Sequence, residues 1–224
     1  QAFAKSQWLA GEMLALAKQL IQDGRDLSES INMRFLYDAE RRLFSIGYNV
    51  SVGRLDGAHY DLLASEARLG SFVAIARGDV PTEHWFSMSR PYNAIGRRRV
   101  LLSWTGTMFE YLMPKLIMPS FDNTLLEQTC KAAVSRQIEY GRQRAVPWGI
   151  SESCYNATDM HQVYQYRAFG VPGLGLKRGL GDDLVIAPYA SALALTVMPL
   201  AAYRNLKILA GNGFLGDYGF YEAI

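Results

Sequence analysis

From residue 184 to residue 203 the chain runs twenty positions without a charged side chain. A stretch that long suits either a bilayer crossing or the interior of a large protein. Two prolines decide between them. Pro188 and Pro199 each suit the first turn of a helix, where a missing N–H costs nothing. The stretch is therefore expected to form two short consecutive helices, apolar on most sides and buried by neighbours. It also carries Ser191, Thr196 and two tyrosines, Tyr189 and Tyr203, which a lipid-facing span would not favour.

The rest of the chain is read around that centre. Apolar residues recur every three or four positions over 6–22, with Gly24 as the expected stop. Residues 35–37 and 43–46 flank a polar Asp-Ala-Glu-Arg-Arg turn and suggest a β-hairpin. A helix is expected over 58–77, ended by Gly78-Asp79, and a short piece from Pro81 to Trp85. A polar loop around Pro91 and Gly96 follows. The next helix begins near Ser103 or Thr105 and is interrupted at Pro114. Thr124-Leu-Leu-Glu127 reads as a capping box opening a helix to about Tyr140. Residues 145–183 are rich in glycine, proline and aromatics and are expected to be irregular. Strands and helices do not alternate, so a parallel sheet is not expected. The fold class is mainly α, with six or seven helices and a small β-hairpin.

Charge and cysteine usage exclude several functions. The formal net charge of +2 gives no basis for a nucleic-acid partner. Arg97-Arg98-Arg99 is too short for a phosphate-tracking stripe and reads as a solvated edge. Cys130 and Cys154 allow one disulfide, though Cys130 falls on a helical pattern. His59, His84 and His161 are scattered, with no Cys/His metal spacing, so neither a metal nor a cofactor is expected. "GVPGLGLKRGLGDD" lacks the order of a phosphate-cradling loop. "GISES" is not a serine-hydrolase elbow. No signal peptide is evident, and both ends look cut, so the chain is expected to be a fragment of a longer protein.

Two acids stand out. Glu66 falls on the apolar stripe of the expected 58–77 helix, in register with Leu62, Leu69 and Val73. A buried acid is costly unless paired or hydrated. It either pairs with a buried arginine or caps a neighbouring helix, or it projects into a polar cavity. Glu152, in "VPWGISESCYN", sits on a small turn flanked by aromatics. Trp148, Tyr155, Tyr164 and Tyr166 are near it, with Asn156 and Arg167. Aromatic rings stack on the C–H faces of sugars while polar side chains hold the hydroxyls. Two carboxylates flanking one bond are what glycoside cleavage requires. Glu110 in "WTGTMFEYLMP" and Glu222 in "YGFYEAI" are two further acids beside aromatics, each as readily structural as functional.

Several long stretches carry a resemblance: "FSIGYNV", "YDLLASEARLGSFVAIARGDVPTEHWF", "LLSWTGTMFEYLMPKLIMP", "RQIEYGRQRAVPWGISESCYN", "YQYRAFGVPGLGLKRGL", "IAPYASALAL" and "YGFYEAI". In this order, from about residue 33 onward, they resemble the glycoamylase-like domain of bacterial cyclic β-1,2-glucan synthases. Endo-β-1,2-glucanases are more distant relatives. The resemblance implies part of an (α/α)6 barrel, truncated at its C-terminus, in which 1–32 is an N-terminal helix and 33–224 bears the motifs of a single domain. It implies anomer-retaining transglycosylation that closes a linear β-1,2-glucan into a ring, with a hydrolase or a glucan-binding module as alternatives. By motif, Glu66 in "SEAR" matches the nucleophile and Glu152 in "SES" the acid/base, whose proton passes through a substrate hydroxyl in the related glucanases. Trp104, Glu110, Trp148, Tyr155, Asn156, Tyr164, Tyr166, Arg167 and Glu222 form the expected substrate-binding set. The implied partners are β-1,2-glucan and other domains of the same synthase. The implied location is the cytoplasmic side of the inner membrane, with the periplasm as the alternative.

Overall fold

The computed structural model describes residues 2–223. Seven α-helices are present among them: α1 (Ala2–Ser30), α2 (Arg68–Ala76), α3 (Glu83–Ser87), α4 (Met108–Leu112), α5 (Leu125–Gln143), α6 (Pro188–Leu193) and α7 (Pro199–Gly211). The strands are short and all paired antiparallel. β1 (Tyr37–Asp38), β2 (Leu43–Ser45) and β5 (His59–Tyr60) form one three-stranded sheet in the order β1-β2-β5. Four hairpins complete the set: β3 (Tyr48–Asn49) with β4 (Arg54–Leu55), β6 (Tyr92–Ile95) with β7 (Arg98–Leu101), β8 (Ser153–Thr158) with β9 (Tyr164–Arg167), and β10 (Leu215–Gly216) with β11 (Gly219–Phe220). The chain is mainly helical, as its periodicities imply.

The main core is built on α5. Its inward face, with Cys130, Ala133, Val134 and Tyr140, packs with Met108, Tyr111 and Leu112 of α4, with Ala190 of α6, and with Ala202 and Leu209 of α7. The alanines let α6 and α7 approach closely, which explains the uncharged 184–203 stretch. It forms two proline-initiated helices, and no helix of the described residues is long and apolar enough to cross a membrane. A smaller core of Phe44, Ala74 and Val80 joins β2 to α2. All of α1 is exposed. It continues past Gly24 to Ser30, because an exposed glycine lowers helix propensity by only about 1 kcal/mol.

Several local expectations are corrected. The 58–77 segment is helical only over Arg68–Ala76. His59 and Tyr60 pair with Ser45 and Phe44 instead, and Leu62 bridges Ser89. The buried Leu62 and Leu63 thus belong to a turn that mimics helical spacing. The α4 helix starts at Met108, later than expected. The loop around Pro91 and Gly96 is a β-hairpin, turning at Gly96 with φ +58°. The 145–183 segment contains the β8–β9 hairpin. At α5 only half of the expected capping box forms: Thr124 accepts from the Glu127 N–H, while the Glu127 carboxylate pairs with Lys131. The complete capping box lies at Thr107 and Glu110. Cys130 and Cys154 are both free thiols, and the three arginines 97–99 are exposed.

Candidate active site

The site is assembled on a tight loop, residues 103–107, that enters α4. Glu110, in the first turn of α4, folds back under this loop and is 4 % exposed. Its Oε1 accepts the N–H groups of Trp104 and Thr105, both at 3.1 Å. Its Oε2 accepts the hydroxyls of Ser103 (2.8 Å) and Thr105 (2.6 Å) and the N–H groups of Gly106 (2.9 Å) and Thr107 (3.1 Å). A carboxylate can take about four such bonds, so Glu110 is committed to internal donors and shapes the loop. From the other side, the loop is pressed against residues 170–175. A Cβ on Gly170 would lie 2.0 Å from the Thr105 carbonyl oxygen, and one on Gly175 would lie 2.6 Å from it. Only glycines permit that approach.

Glu152 lies just before β8, on a segment clamped residue by residue. Gln137 of α5 brackets Ile150, donating to its carbonyl (2.7 Å) and accepting its N–H (2.9 Å). Ser151 Oγ accepts the Phe109 N–H of α4 and shares a hydrogen bond with the Tyr189 hydroxyl. Tyr189 gives its one proton to the Glu152 carbonyl at 2.7 Å. Ser153 pairs with Arg167 across the β8–β9 hairpin. The carboxylate itself remains half-buried, accepting the Tyr166 hydroxyl at 2.9 Å and, weakly, the Thr107 hydroxyl at 3.5 Å. Burial first, and then the hydrogen bond to the Glu152 carboxylate, push the Tyr166 phenol up. The Tyr189 phenol is pushed up to about 12, mainly by burial, with the charges of Glu152 and Glu222 adding to it. Both phenols thus stay protonated as donors toward Glu152.

Glu66 sits in the turn that precedes α2, not within a helix. Its side chain accepts the Ser65 hydroxyl at 3.1 Å. No ion pair is made to it among the described residues. The neighbouring Arg68 is buried and spends its guanidinium on three carbonyls, those of Ser65, Glu110 and Tyr111. The reading in which Glu66 pairs with a buried arginine is thereby removed. Burial raises the Glu66 pKa from its ordinary value, and the charges of Glu110 and Glu152 raise it further. Glu66, Glu110 and Glu152 therefore lie in one electrostatic neighbourhood: one acid anchored by the backbone, two with free coordination.

The remaining predicted residues divide. Glu222 accepts the Cys154 N–H at 3.0 Å and reaches the Tyr189 neighbourhood. Trp104 is 42 % exposed on the Glu110 loop and lines a groove of about 450 Å³. Arg167 pairs with Asp183 (2.9 Å) and stacks over Phe169 and Tyr155. Tyr155 meets Phe169 edge-on. Asn156 and Tyr164 are exposed on the hairpin with no hydrogen bond to either acid among the described residues. Trp148 is buried in the core, where Asn205 binds its N–H and its carbonyl. It borders a groove of about 820 Å³ between α5 and α7 that contains neither Glu66 nor Glu152. Sequence reasoning missed Thr107, Tyr189 and Gln137. The Thr-x-x-Glu spacing of 107–110 could have revealed the first; nothing in the sequence marks the other two. No group of three or more metal-capable side chains occurs among the described residues.

The family model described as "Glycoamylase: Putative glucoamylase" matches residues 58–224. The chain belongs to this glycoamylase family. The match contains the 103–107 loop and both unanchored acids. The chain is also 52% identical over 217 residues to the cyclic β-(1,2)-glucan synthase NdvB of Rhizobium meliloti, covering 96% of this chain but only 8% of that protein. Two solved structures titled "putative glucoamylase" share the fold. One, from Bacteroides caccae, has a TM-score of 0.68 and 15% identity. The other, from Bacteroides fragilis, has a TM-score of 0.67 and 16% identity. Both alignments cover 92% of this chain, which spans 53% and 52% of the respective structures.

Proposed function

We propose that this chain is the motif-bearing part of a retaining transglycosylase domain that closes linear β-1,2-glucan into rings within a cyclic β-1,2-glucan synthase. The observation that supports the reading is a pair of unanchored acids: Glu152, whose carboxylate meets Thr107 of the loop that Glu110 holds, and Glu66, whose pKa the charges of Glu110 and Glu152 raise. The linkage is taken from the relative whose name specifies it. In this reading the Glu66 carboxylate attacks the anomeric carbon as the glycosidic C–O bond breaks. Glu152 supplies a proton to the departing oxygen, directly or through a substrate hydroxyl. A hydroxyl at the chain's own far end then attacks the same carbon. It returns its proton to Glu152 and releases Glu66. Retaining enzymes ordinarily hold the two carboxyl groups about 5–5.5 Å apart, and a relay through a substrate hydroxyl suits a wider gap. Ring closure requires the sugar hydroxyl to outcompete water, which a shielded acceptor side favours. In this reading the β8–β9 hairpin, whose Tyr166 hydroxyl donates to Glu152, supplies that shield.

This chain spans only about half of each similar solved structure. We take the full domain to be an (α/α)6 barrel in which this chain supplies one part. Other domains of the synthase are its partners, and the cytoplasmic face of the inner membrane is its location, with the periplasm as the alternative. Hydrolysis of the same glucan is the second reading, since water could replace the acceptor hydroxyl at the same carbon. Incubating the full-length protein and its Glu152→Gln variant with linear β-1,2-glucan separates the readings by mass spectrometry. Products one water lighter than the linear chains, absent with the variant, are expected. Reducing fragments would favour hydrolysis. Intact glucan that both proteins still bind would replace catalysis with a binding role.

A further inference from the structure

We infer that the groove between β5 and the 103–107 loop is a binding subsite for one glucosyl unit of the substrate chain, reached by longer chains. This rests on the glucan reading above. The groove, about 450 Å³, falls in the usual range for small-ligand sites. Tyr60, Asp61 and Trp104 line it together with Arg41 and His59. The groove joins the candidate active site through Trp104, which lines it and whose N–H the Glu110 carboxylate accepts at 3.1 Å.

The lining suits a sugar better than other small ligands. Trp104 offers an indole that is 42 % exposed, although aromatic rings of that size are usually well buried. The peptide N–H of Trp104 is fixed on Glu110, so the ring is presented from an anchored backbone. The Asp61 backbone is held too, its carbonyl accepting the Ser89 N–H at 2.6 Å. Yet the Asp61 Oδ1 atom is buried without any donor. Buried acceptors are nearly always paired, and an unpaired one calls for a missing partner. A sugar hydroxyl entering beside Tyr60, with a small turn of the carboxylate to meet it, supplies that donor while the C–H face of the ring rests on Trp104. A phosphate is disfavoured, because Arg41 and His59 already face Asp38, at 3.7 Å and 3.2 Å. A purely apolar ligand would leave Asp61 unpaired.

The test is calorimetric titration of the full-length protein, in a Glu152→Gln background that blocks turnover, with linear β-1,2-linked gluco-oligosaccharides of increasing length. Trp104→Ala and Asp61→Asn are each expected to weaken the longer oligomers about fivefold to tenfold. They should leave the shortest bound oligomer unchanged, and Trp104→Phe should recover most of the loss. Equal affinity in all variants, or a loss of the same size at every length, overturns the subsite while leaving the functional reading intact. No binding by the parent itself overturns the functional reading and the subsite with it.

Discussion

Glu110→Gln should damage the fold, although Glu110 lies among the same acids as Glu66 and Glu152. The glutamine carbonyl can keep the Oε2 position, where two hydroxyls and two N–H groups converge at 2.6–3.1 Å. Its NH₂ group must then face the Trp104 and Thr105 N–H groups that Oε1 accepted. Donor meets donor: the Trp104 N–H and the new NH₂ group are left unpaired, and the Thr105 N–H keeps only its bond to Oε2 at 3.1 Å, around a side chain that is 4 % exposed. An unpaired buried donor costs about 1–3 kcal/mol, and the bonds that remain lose their charge assistance. The total is about 3–5 kcal/mol, a large part of a domain's net stability. Native-state hydrogen exchange in the full-length protein reads this locally. Each ~1.4 kcal/mol is tenfold, so exchange at Trp104, Thr105, Gly106 and Thr107 should speed up by about a hundredfold or more. Glu152→Gln is the contrast. Its carboxylate is half-buried and accepts one strong hydroxyl and none of these four N–H groups, so exchange at the same amides should change by less than about tenfold. A Glu110→Gln protein with these four amides as protected as in wild type would refute the reasoning.

Three further outcomes follow from the same geometry. Burial raises the Glu66 pKa, so the folded state binds its proton more readily than the unfolded chain does. Its contribution to stability is complete below the ordinary carboxylate range and is lost as pH rises through the raised value. Thermal melts from acidic to neutral pH should therefore show Glu66→Gln more stable than wild type above that window and equal below it; a variant less stable at neutral pH contradicts this. Gly170→Ala places a methyl 2.0 Å from the Thr105 carbonyl oxygen. It should cost about 2–3 kcal/mol by overpacking and reduce glucan turnover through the displaced loop, whereas a variant melting with wild type would show that the loops yield freely. Tyr166→Phe removes the 2.9 Å donor on Glu152. A hydrogen bond to a charged group is worth about 1.5–3 kcal/mol, so turnover should fall about tenfold to a hundredfold with substrate affinity little changed; unchanged turnover counts against Glu152 as a participant.

Much of this was legible in the residues, where single elements carry strong local signals. Pro188 and Pro199 marked two helices inside an uncharged stretch because a proline at the first helical turn has one physical reading. The β1–β2 hairpin followed from its polar turn between apolar runs. Elsewhere the local signal was outvoted by long-range pairing. Residues 59–60 read as helix, yet Phe44 and Ser45 supply them with ladder partners that no local pattern reveals. Both acids were singled out, but for Glu66 the stated reason was wrong: it occupies a turn, not the apolar stripe of a helix. The support around Glu152 was invisible because Gln137, Tyr189 and Thr107 reach it from other elements. Glu110 was hardest to assign. Seen only as an acid beside aromatics it resembles Glu152, and the donors that fix its structural role are mostly backbone N–H groups, which every residue carries.

The most direct test of the central claim, that Glu66 and Glu152 act as a pair on one glycosidic bond with different roles, is anomer-resolved azide rescue. The full-length protein carrying Glu66→Ala or Glu152→Ala would be incubated with linear β-1,2-glucan and azide, and the products read by NMR. Without the nucleophile, azide attacks from the face that Glu66 occupied, so Glu66→Ala is predicted to yield the α-glucosyl azide. Without the acid/base, azide intercepts the glycosyl-enzyme from the opposite face, and Glu152→Ala is predicted to yield the β-glucosyl azide. The same anomer from both variants, or the reverse assignment, would contradict the account.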